Sequence, residues 1–457
     1  MRNGRRSPLK NLSRASEIRW RTDAAPSWHR TRRCFLYLRS CWPAAAIIPA
    51  TVWFACAAIG QESVRTPELP PFTEFAPNPE EGTFVRVGPF SGTATLGLGY
   101  LYTDNANTTG TTGTSGTTGT GKLSLNEIFE GLDVDLAWPI SPFNRVDLRL
   151  GGELQENFYS NGTNALNLAI SPDSQIQFEA KIGEFLLRAF ERFTIVQDPV
   201  SDPTVANQTN LNRLSNTIGA GVDLPLYHAD FGLSFAYTYS DQLGGTALGG
   251  GEGGVLRNSF HLGSKISFQF SPTLSYGFEA NATYNAGDGP FDFYAFSLGP
   301  FIRGNITRLL EVDAGIGPLL TAGPAGEPPQ YYGFLAVRYH PSRLLQILAG
   351  IDHDTEFSSG LGVTQNTYVR LTVQASLTRR WTFTVGPYVN FGSVITGEFP
   401  GSYTQIGVKT GLEYAFSRRI TGELTYRYAK RNGGHSVEET PASYTQNLVS
   451  VSLSYRF

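Results

Sequence analysis

The clearest group of residues that could perform acid–base chemistry is Asp352-His353-Asp354, an imidazole between two carboxylates. General acid–base catalysis needs such groups on one side of a site, within hydrogen-bonding distance. The surrounding residues alternate like a strand, and neighbours on a strand point to opposite faces. His353 therefore shares a face with neither aspartate unless the strand bulges, and we interpret these residues as charges at the rim of a sheet.

Other catalytic or metal-binding chemistry has little support. Ser160-Asn161-Gly162 is similar to the surroundings of a catalytic serine, but position 158, where a partner histidine is sought, is Phe158. The histidines are scattered and show no metal-ligand spacing. Loop carboxylates such as Glu252, Asp288 and Glu327 could bind calcium or bridge lipopolysaccharide, but solvated loop charge is the simpler interpretation. The sequence predicts a protein that is not an enzyme and has no cofactor or metal.

What remains is a set of charges of both signs at alternate strand positions. Such charges must face water or one another if the strands cross a bilayer, because a lipid-facing charge at the midplane costs about 2–4 kcal/mol. We therefore predict a polar, charged lumen. Its lining candidates are Arg149, Glu153, Lys265, Glu279, Arg303, Asp313, Arg338, Arg370, Lys409, Glu413 and Arg427.

The last strand carries the clearest structural signal. In NLVSVSLSYRF the residues Val449, Val451, Leu453, Tyr455 and Phe457 share one face, and Leu448, three serines and Arg456 share the other. An apolar face opposite a small polar face, closed by a carboxy-terminal Phe, resembles the last strand of bacterial outer-membrane β-barrels. The resemblance implies that these residues are the assembly signal for the barrel-assembly machinery. An edge strand of a soluble sandwich is the alternative.

Two kinds of connection alternate along the chain after residue 83. Tight turns are predicted at Ser141-Pro142, Ser171-Pro172, 228–230, Ser271-Pro272, Thr307-Arg308, 341–343, Arg379-Arg380 and Arg418-Arg419. Longer segments rich in Gly, Thr, Asn and Asp lie at about 103–121, 157–164, 198–211, 241–255, 286–291, 321–330, 355–364, 393–401 and 431–444. Short turns on one side and long loops on the other predict an all-β, transmembrane antiparallel barrel of about 18 strands, or 16 as the alternative.

One segment departs from this alternation. In residues 181–196 the apolar positions fit a helical spacing better than a period of two. A plug-like or interfacial helix is one interpretation. The matched turns on either side favour a strand, bulged near Gly183.

The amino-terminal region predicts export. Residues 43–59 form an apolar stretch after Arg32, Arg33 and Arg39, which is the order of a signal peptide. We predict a leader and signal at 1–60, a Pro-rich periplasmic linker at 61–82 and the barrel at 83–457. Cleavage after Ala57 or Gly60 would remove all 3 cysteines. The cleavage site and the true start codon stay open.

Charge excludes one class of partner. The whole chain has a formal charge of -3, and removing the basic leader lowers it to about -12. A nucleic-acid-binding protein needs a basic footprint. The mature chain instead predicts a mild preference for cations in any pore.

The first strand and its loop, GPFSGTATLGLGYLYTDNANT at 88–108, resemble the opening of the β-barrel porin 2 family, notably at Tyr102-Thr103-Asp104-Asn105. The resemblance extends loosely over 83–457. It implies an outer-membrane porin-like channel for passive diffusion of small hydrophilic solutes. Some relatives are linked with exopolysaccharide export, so a non-conducting barrel that exports or anchors polysaccharide, or structures the envelope, is the alternative. Expected partners are outer-membrane lipid, lipopolysaccharide and the assembly machinery, and the oligomeric state is open.

Overall fold

The fold is given by a computed structural model of the chain. It describes residues 85–106, 124–171, 173–196, 212–243, 257–287, 292–322, 330–358, 362–396, 401–433 and 443–457. The predicted signal, the linker and most of the predicted long loops lie outside these residues. None of the described residues is helical. Within them, no helix is long and apolar enough to cross a bilayer.

The described residues form antiparallel strands. The strands are β1 (Val85–Val87), β2 (Phe90–Thr103), β3 (Leu125–Ser141), β4 (Asn144–Tyr159), β5 (Asn164–Ile170), β6 (Gln175–Ile182), β7 (Phe185–Val196), β8 (Asn212–Pro225), β9 (Ala229–Leu243), β10 (Arg257–Ser271), β11 (Leu274–Gly287), β12 (Phe293–Thr307), β13 (Leu310–Ala322), β14 (Gln330–Ser342), β15 (Leu345–Ser358), β16 (Gly362–Ser376), β17 (Trp381–Thr396), β18 (Gly401–Ala415), β19 (Ile420–Gly433) and β20 (Tyr444–Arg456).

The sheet closes on itself, because β20 pairs with both β19 and β2. β5 and β6 share one position between β4 and β7. The short β1 pairs with the first residues of β2, on the edge that β20 occupies further along. The 20 strand segments therefore make an 18-strand antiparallel barrel. The predicted fold class and strand number are confirmed.

One predicted turn was wrong. Ser171 lies in an interruption between β5 and β6, inside a single strand position. The turn lies instead at Gly183-Glu184, where Ile182 pairs with Phe185 and Gly183 has φ 65. A two-residue hairpin favours glycine at such a positive φ. This turn also explains the helical spacing of 181–196, since the chain reverses inside that segment and two strands were taken for one element.

Ser174 holds the interruption in the barrel wall. Its hydroxyl accepts a hydrogen bond from the Gly151 amide at 2.9 Å and lies 3.1 Å from the Gly151 carbonyl oxygen. Its own carbonyl accepts from the Phe193 amide at 3.0 Å. The neighbouring strands thus keep backbone partners across the break, as a closed sheet requires.

The two faces of the wall differ in exposure and chemistry. Side chains on a convex outer face spread apart and are exposed, whereas those on the inner face converge. Leu96, Leu98 and Leu453 are exposed, and across β2 and β20 Leu98 pairs with Leu453 and Leu96 pairs with Tyr455, which marks their face as the outer one. The other face carries the most buried side chains, including Ser297 and Leu319.

Glycines on the inner face lie beneath large aromatic side chains of the neighbouring strands. Phe129, Phe190, Phe334 and Tyr388 each lie directly opposite a glycine of the neighbouring strand, and a Cβ on that glycine would overlap the ring. The same relation holds for Tyr332 over Gly317 and Tyr403 over Gly392. The rings therefore lie flat along the wall and do not project into the space that it encloses.

Replacing Gly99, the seat of Phe129, with Ala should destabilise the barrel by about 1–3 kcal/mol, because the added methyl displaces the ring. Gly97 on the same strand is the matched control, since its Cβ would meet only the Gly131 carbonyl oxygen at 3.8 Å. Gly97→Ala should change stability by no more than about 0.5 kcal/mol. Urea unfolding in phospholipid vesicles, followed by tryptophan fluorescence, measures both. Equal changes in stability for the two variants would show that the Phe129 ring moves aside without cost.

Candidate functional site: the barrel lumen

The lumen is the space enclosed by the inner face, and all the predicted lining candidates lie on that face. Lys265 pairs directly with Glu279, and Arg303 pairs with Asp313. The remaining candidates have the same inward parity, namely Arg149, Glu153, Arg338, Arg370, Lys409, Glu413 and Arg427. Their role in lining a solute path stays a prediction.

The structure joins several of these charges into cross-strand ion pairs. Arg149 contacts Asp135 at 2.7 Å, and Arg303 contacts Asp313 at 3.1 Å. The Arg338 guanidinium donates to Glu311 at 2.6 Å. Opposite charges placed across a ladder stabilise the pairing and cancel much of each other's field.

Other candidates face a group of the same sign. Lys409 is directly opposite Arg427 across β18 and β19, and Glu413 is directly opposite Glu423 four residues closer to the tight turn. The cations and the carboxylates of these two strands thus occupy different heights in the lumen. On β18 and β19 the charge of the inner wall therefore changes sign along the barrel axis.

Arg188 joins three strands and was missed by the sequence interpretation. Its guanidinium lies 3.3 Å from Glu179 on β6 and 2.9 Å from Asp223 on β8. Because 181–196 was taken as one element, Arg188 had no predictable partner. A two-residue turn at Gly183-Glu184 is the signal that would have placed Glu179 and Arg188 opposite each other.

Burial of the inner face changes from one end of the barrel to the other. Near the tight turns the charged side chains keep part of their exposure, from 55% and 54% for Arg149 and Asp135 to 31% and 14% for Arg303 and Asp313. Near the long connections the inner side chains are buried and mostly uncharged. They include Thr103, Asn157, Thr238, Ser259, His261, Thr283, Asn285, Asn366, Asn390, Gln405 and Gln446. The lumen thus has a charged zone at the turn end and a polar, buried zone at the loop end.

The loop-end zone also contains aromatic surface. Phe301, Tyr332 and Phe334 form a buried cluster on β12 and β14. On the far side of β15, the guanidinium carbon of Arg370 lies 5.9 Å from the centre of the Tyr368 ring. These rings therefore pack along the wall and do not project as bulk into the lumen.

The catalytic and metal candidates are not assembled. Asp352 pairs with Phe334 on the inner face, whereas His353 pairs with Gly333 on the outer face and stacks on Tyr331 at 4.4 Å. Ser160 lies in the connection between β4 and β5, and its hydroxyl accepts from the Ser124 amide at 3.2 Å. In the part of the chain that the structure describes, no group of His, Cys, Asp and Glu could hold a metal ion. Glu252, Asp288 and Glu327 lie outside it.

Asp313→Asn removes the negative charge that balances Arg303. It should therefore lower the ratio of K⁺ to Cl⁻ permeability roughly twofold. Glu184→Gln at a tight turn is the charge-matched control and should leave the ratio unchanged. Reversal potentials under a KCl gradient measure both. A shift of equal size in the control would mean that the Arg303–Asp313 pair does not border the ion path.

The comparisons with known proteins show a likeness of architecture. No family model matches the chain, and no curated protein does either. Among solved structures, OccK7 (OpdD) of Pseudomonas aeruginosa is 10% identical over 80% of this chain and 99% of its own, with a TM-score of 0.46. OccAB3 of Acinetobacter baumannii is 10% identical over 80% and 99%, with a TM-score of 0.44. A mutant of the ferric enterobactin receptor PfeA of Pseudomonas aeruginosa is 9% identical over 79% and 80%, with a TM-score of 0.40.

Proposed function

We propose that this chain is a bacterial outer-membrane channel of the porin type, through which small hydrophilic solutes diffuse passively. The observation that carries the proposal is a closed 18-strand barrel with an apolar outer face and a charged inner face. In a bilayer every backbone polar group needs an internal partner, and closed barrels meet this need with strands. Barrels of 16–18 strands leave room for an aqueous channel.

The outer face supports a place in a membrane. Exposed Leu, Ile, Val and Phe side chains alternate along its strands. Aromatic side chains gather towards both ends, as at Phe90 with Trp138 and at Trp381 with Tyr414 near the turns, and at Tyr284 with Tyr294 near the loop end. Aromatic girdles at the two interfaces are typical of transmembrane barrels.

Among the described residues, three glutamates lie on the mainly apolar outer face. Glu130 and Glu156 share that face with Leu98 and Ile128, and both are exposed. Glu191 accepts a hydrogen bond from the Asn216 amide at 3.1 Å. Glu156 is level with Tyr100 across β2–β4, near the loop end, where the cost of an outward carboxylate is small.

The even strand number supports an outer-membrane orientation. β2 begins and β20 ends at the tight-turn end of the barrel, since Phe457 donates its amide to the Ala94 carbonyl at 2.9 Å. Secretion across the inner membrane delivers both ends to the periplasm. The tight turns would then be periplasmic, and the loop end would meet lipopolysaccharide.

Purified, signal-free protein in planar bilayers should give discrete conductance steps. Folding is verified by heat-modifiable gel mobility. Because the mature charge is about -12 but most inner cations have carboxylate neighbours, reversal potentials should show a weak cation preference. Folded protein without conductance would overturn the channel proposal, and clear anion selectivity would show that inner arginines such as Arg303, Arg338 and Arg370 define the narrowest point.

Burial of the loop-end inner face favours a second candidate, a non-conducting barrel that exports or anchors a polysaccharide or structures the envelope. Thr364 is fully buried and Asn366, Asn390 and Gln405 nearly so, as expected where a lumen is closed. Polysaccharide synthesis and export genes next to this gene would favour this candidate.

Removing Phe457 should leave the protein degraded or aggregated in the periplasm. We propose that Phe457 belongs, with Val449, Val451, Leu453 and Tyr455, to the signal that the assembly machinery recognises. Its ring contacts Tyr455 edge-on at 4.9 Å and is exposed on the outer face. Phe416→Ser is the control, because Phe416 is also an exposed aromatic residue at the turn end, 55% against 44% for Phe457, but lies within the chain. Outer-membrane levels are measured by cell fractionation, and equal levels for both variants would refute the signal.

A further inference from the structure

A symmetric group of four inner side chains lies on β17 and β18 in the loop-end zone. Asn390 is directly opposite Gln405, Tyr388 is opposite Gly407, and Gly392 is opposite Tyr403. Each tyrosine ring lies over the glycine of the other strand. The amide pair therefore sits between two rings that lie flat on the wall. We call Tyr388, Asn390, Tyr403 and Gln405 the amide–tyrosine patch.

The side-chain oxygens of both amides receive no hydrogen bond. Asn390 and Gln405 are each 3% exposed, and neither Asn390 Oδ1 nor Gln405 Oε1 has a hydrogen-bond partner. A buried acceptor without a donor is costly. Gln405 is held only by a long 3.4 Å bond from Nε2 to the Tyr388 hydroxyl, so rotation towards a donor costs little.

The residues that face the amide pair from β16 and β19 are uncharged or cationic. At the same register lie Tyr368 on β16 and Arg431 on β19. The Arg431 guanidinium is 3.8 Å from the centre of the Tyr403 ring, and the Tyr403 hydroxyl donates to Asn366 Oδ1 at 2.8 Å. None of the residues directly opposite the patch on β16 or β19 is acidic. Carboxylates lie one strand further away on β15, where Asp352 is opposite Tyr368 and Asp354 is opposite Asn366.

The neighbouring amide acceptors and donors and the Tyr388 ring together match one class of ligand. Sugar hydroxyls donate and accept at once, and the apolar face of a sugar ring stacks on an aromatic ring. We infer that the amide–tyrosine patch is a binding subsite for neutral, hydroxyl-rich solutes of the saccharide class. This inference rests on the proposed channel function and names its substrate class.

Maltotriose added to a bilayer that contains the full mature protein should reduce the ion current in a saturable way. A polyethylene glycol of similar mass, which has ether acceptors but few donors, should not. Asn390→Leu replaces the amide with a branched apolar side chain, breaks no hydrogen bond of Asn390 and is compared with its own KCl current. It should weaken the apparent maltotriose affinity about tenfold or more. Gln405→Met is the second variant, with the same expected result.

Asn157→Leu is the matched control, because Asn157 is also an inner amide at the loop end and 3% exposed, but lies on β4. It should leave the maltotriose block unchanged. Equal block by maltotriose and the polyether, or a wild-type affinity in both patch variants, would overturn the subsite. Calorimetric titration of folded protein in detergent separates the two proposals. Maltotriose binding that Asn390→Leu abolishes, in a protein without conductance, would retain the subsite and refute the channel.

Discussion

Closure of the hydrogen-bonded ladder between β2 and β20 is the constraint on which the rest of the structure depends. An open sheet has two edges of unpaired amides and carbonyls, which a bilayer does not solvate. Pairing from Thr95 with Arg456 to Thr103 with Leu448 removes both edges. Once the barrel is closed, each strand has one face towards the lumen. Whether a side chain faces the lumen or the outside then depends on whether its position along the strand is odd or even. The interruption at Ser174 persists only because its polar groups supply partners to the two neighbouring strands.

The inner face of the barrel shows why its large side chains do not fill the lumen. Large residues are present on the inner face, but the described ones that oppose glycines lie along the wall. A Cβ at Gly315 or Gly392 would push the opposing ring away from its strand. The glycines therefore set how far the aromatic residues reach inward. In the same way, cross-strand ion pairs hold long arginine side chains against their neighbours, so the charged zone stays close to the wall.

The two zones of the lumen suggest a division of tasks. The charges at the turn end balance one another across strands, which would limit discrimination between ions in the proposed channel. The loop end combines buried amides, hydroxyls and flat rings, and in the proposed channel a solute there would exchange hydrogen bonds with water for hydrogen bonds with the wall. We therefore expect selection by hydroxyl pattern at that end, and not selection by charge.

The sequence alone determined the fold class, the strand number and the inward parity of the lumen charges, because a period of two and the alternation of short and long connections are local properties. It misplaced one turn, since Ser171-Pro172 has the residue types of a turn and Gly183-Glu184 lies inside a run that imitates a helix. It could not indicate that Arg188 joins Glu179 to Asp223, or that Asn390 meets Gln405 between two tyrosine rings. These contacts depend on register, which the closed tertiary structure alone decides, because a shift of one residue moves every side chain to the other face.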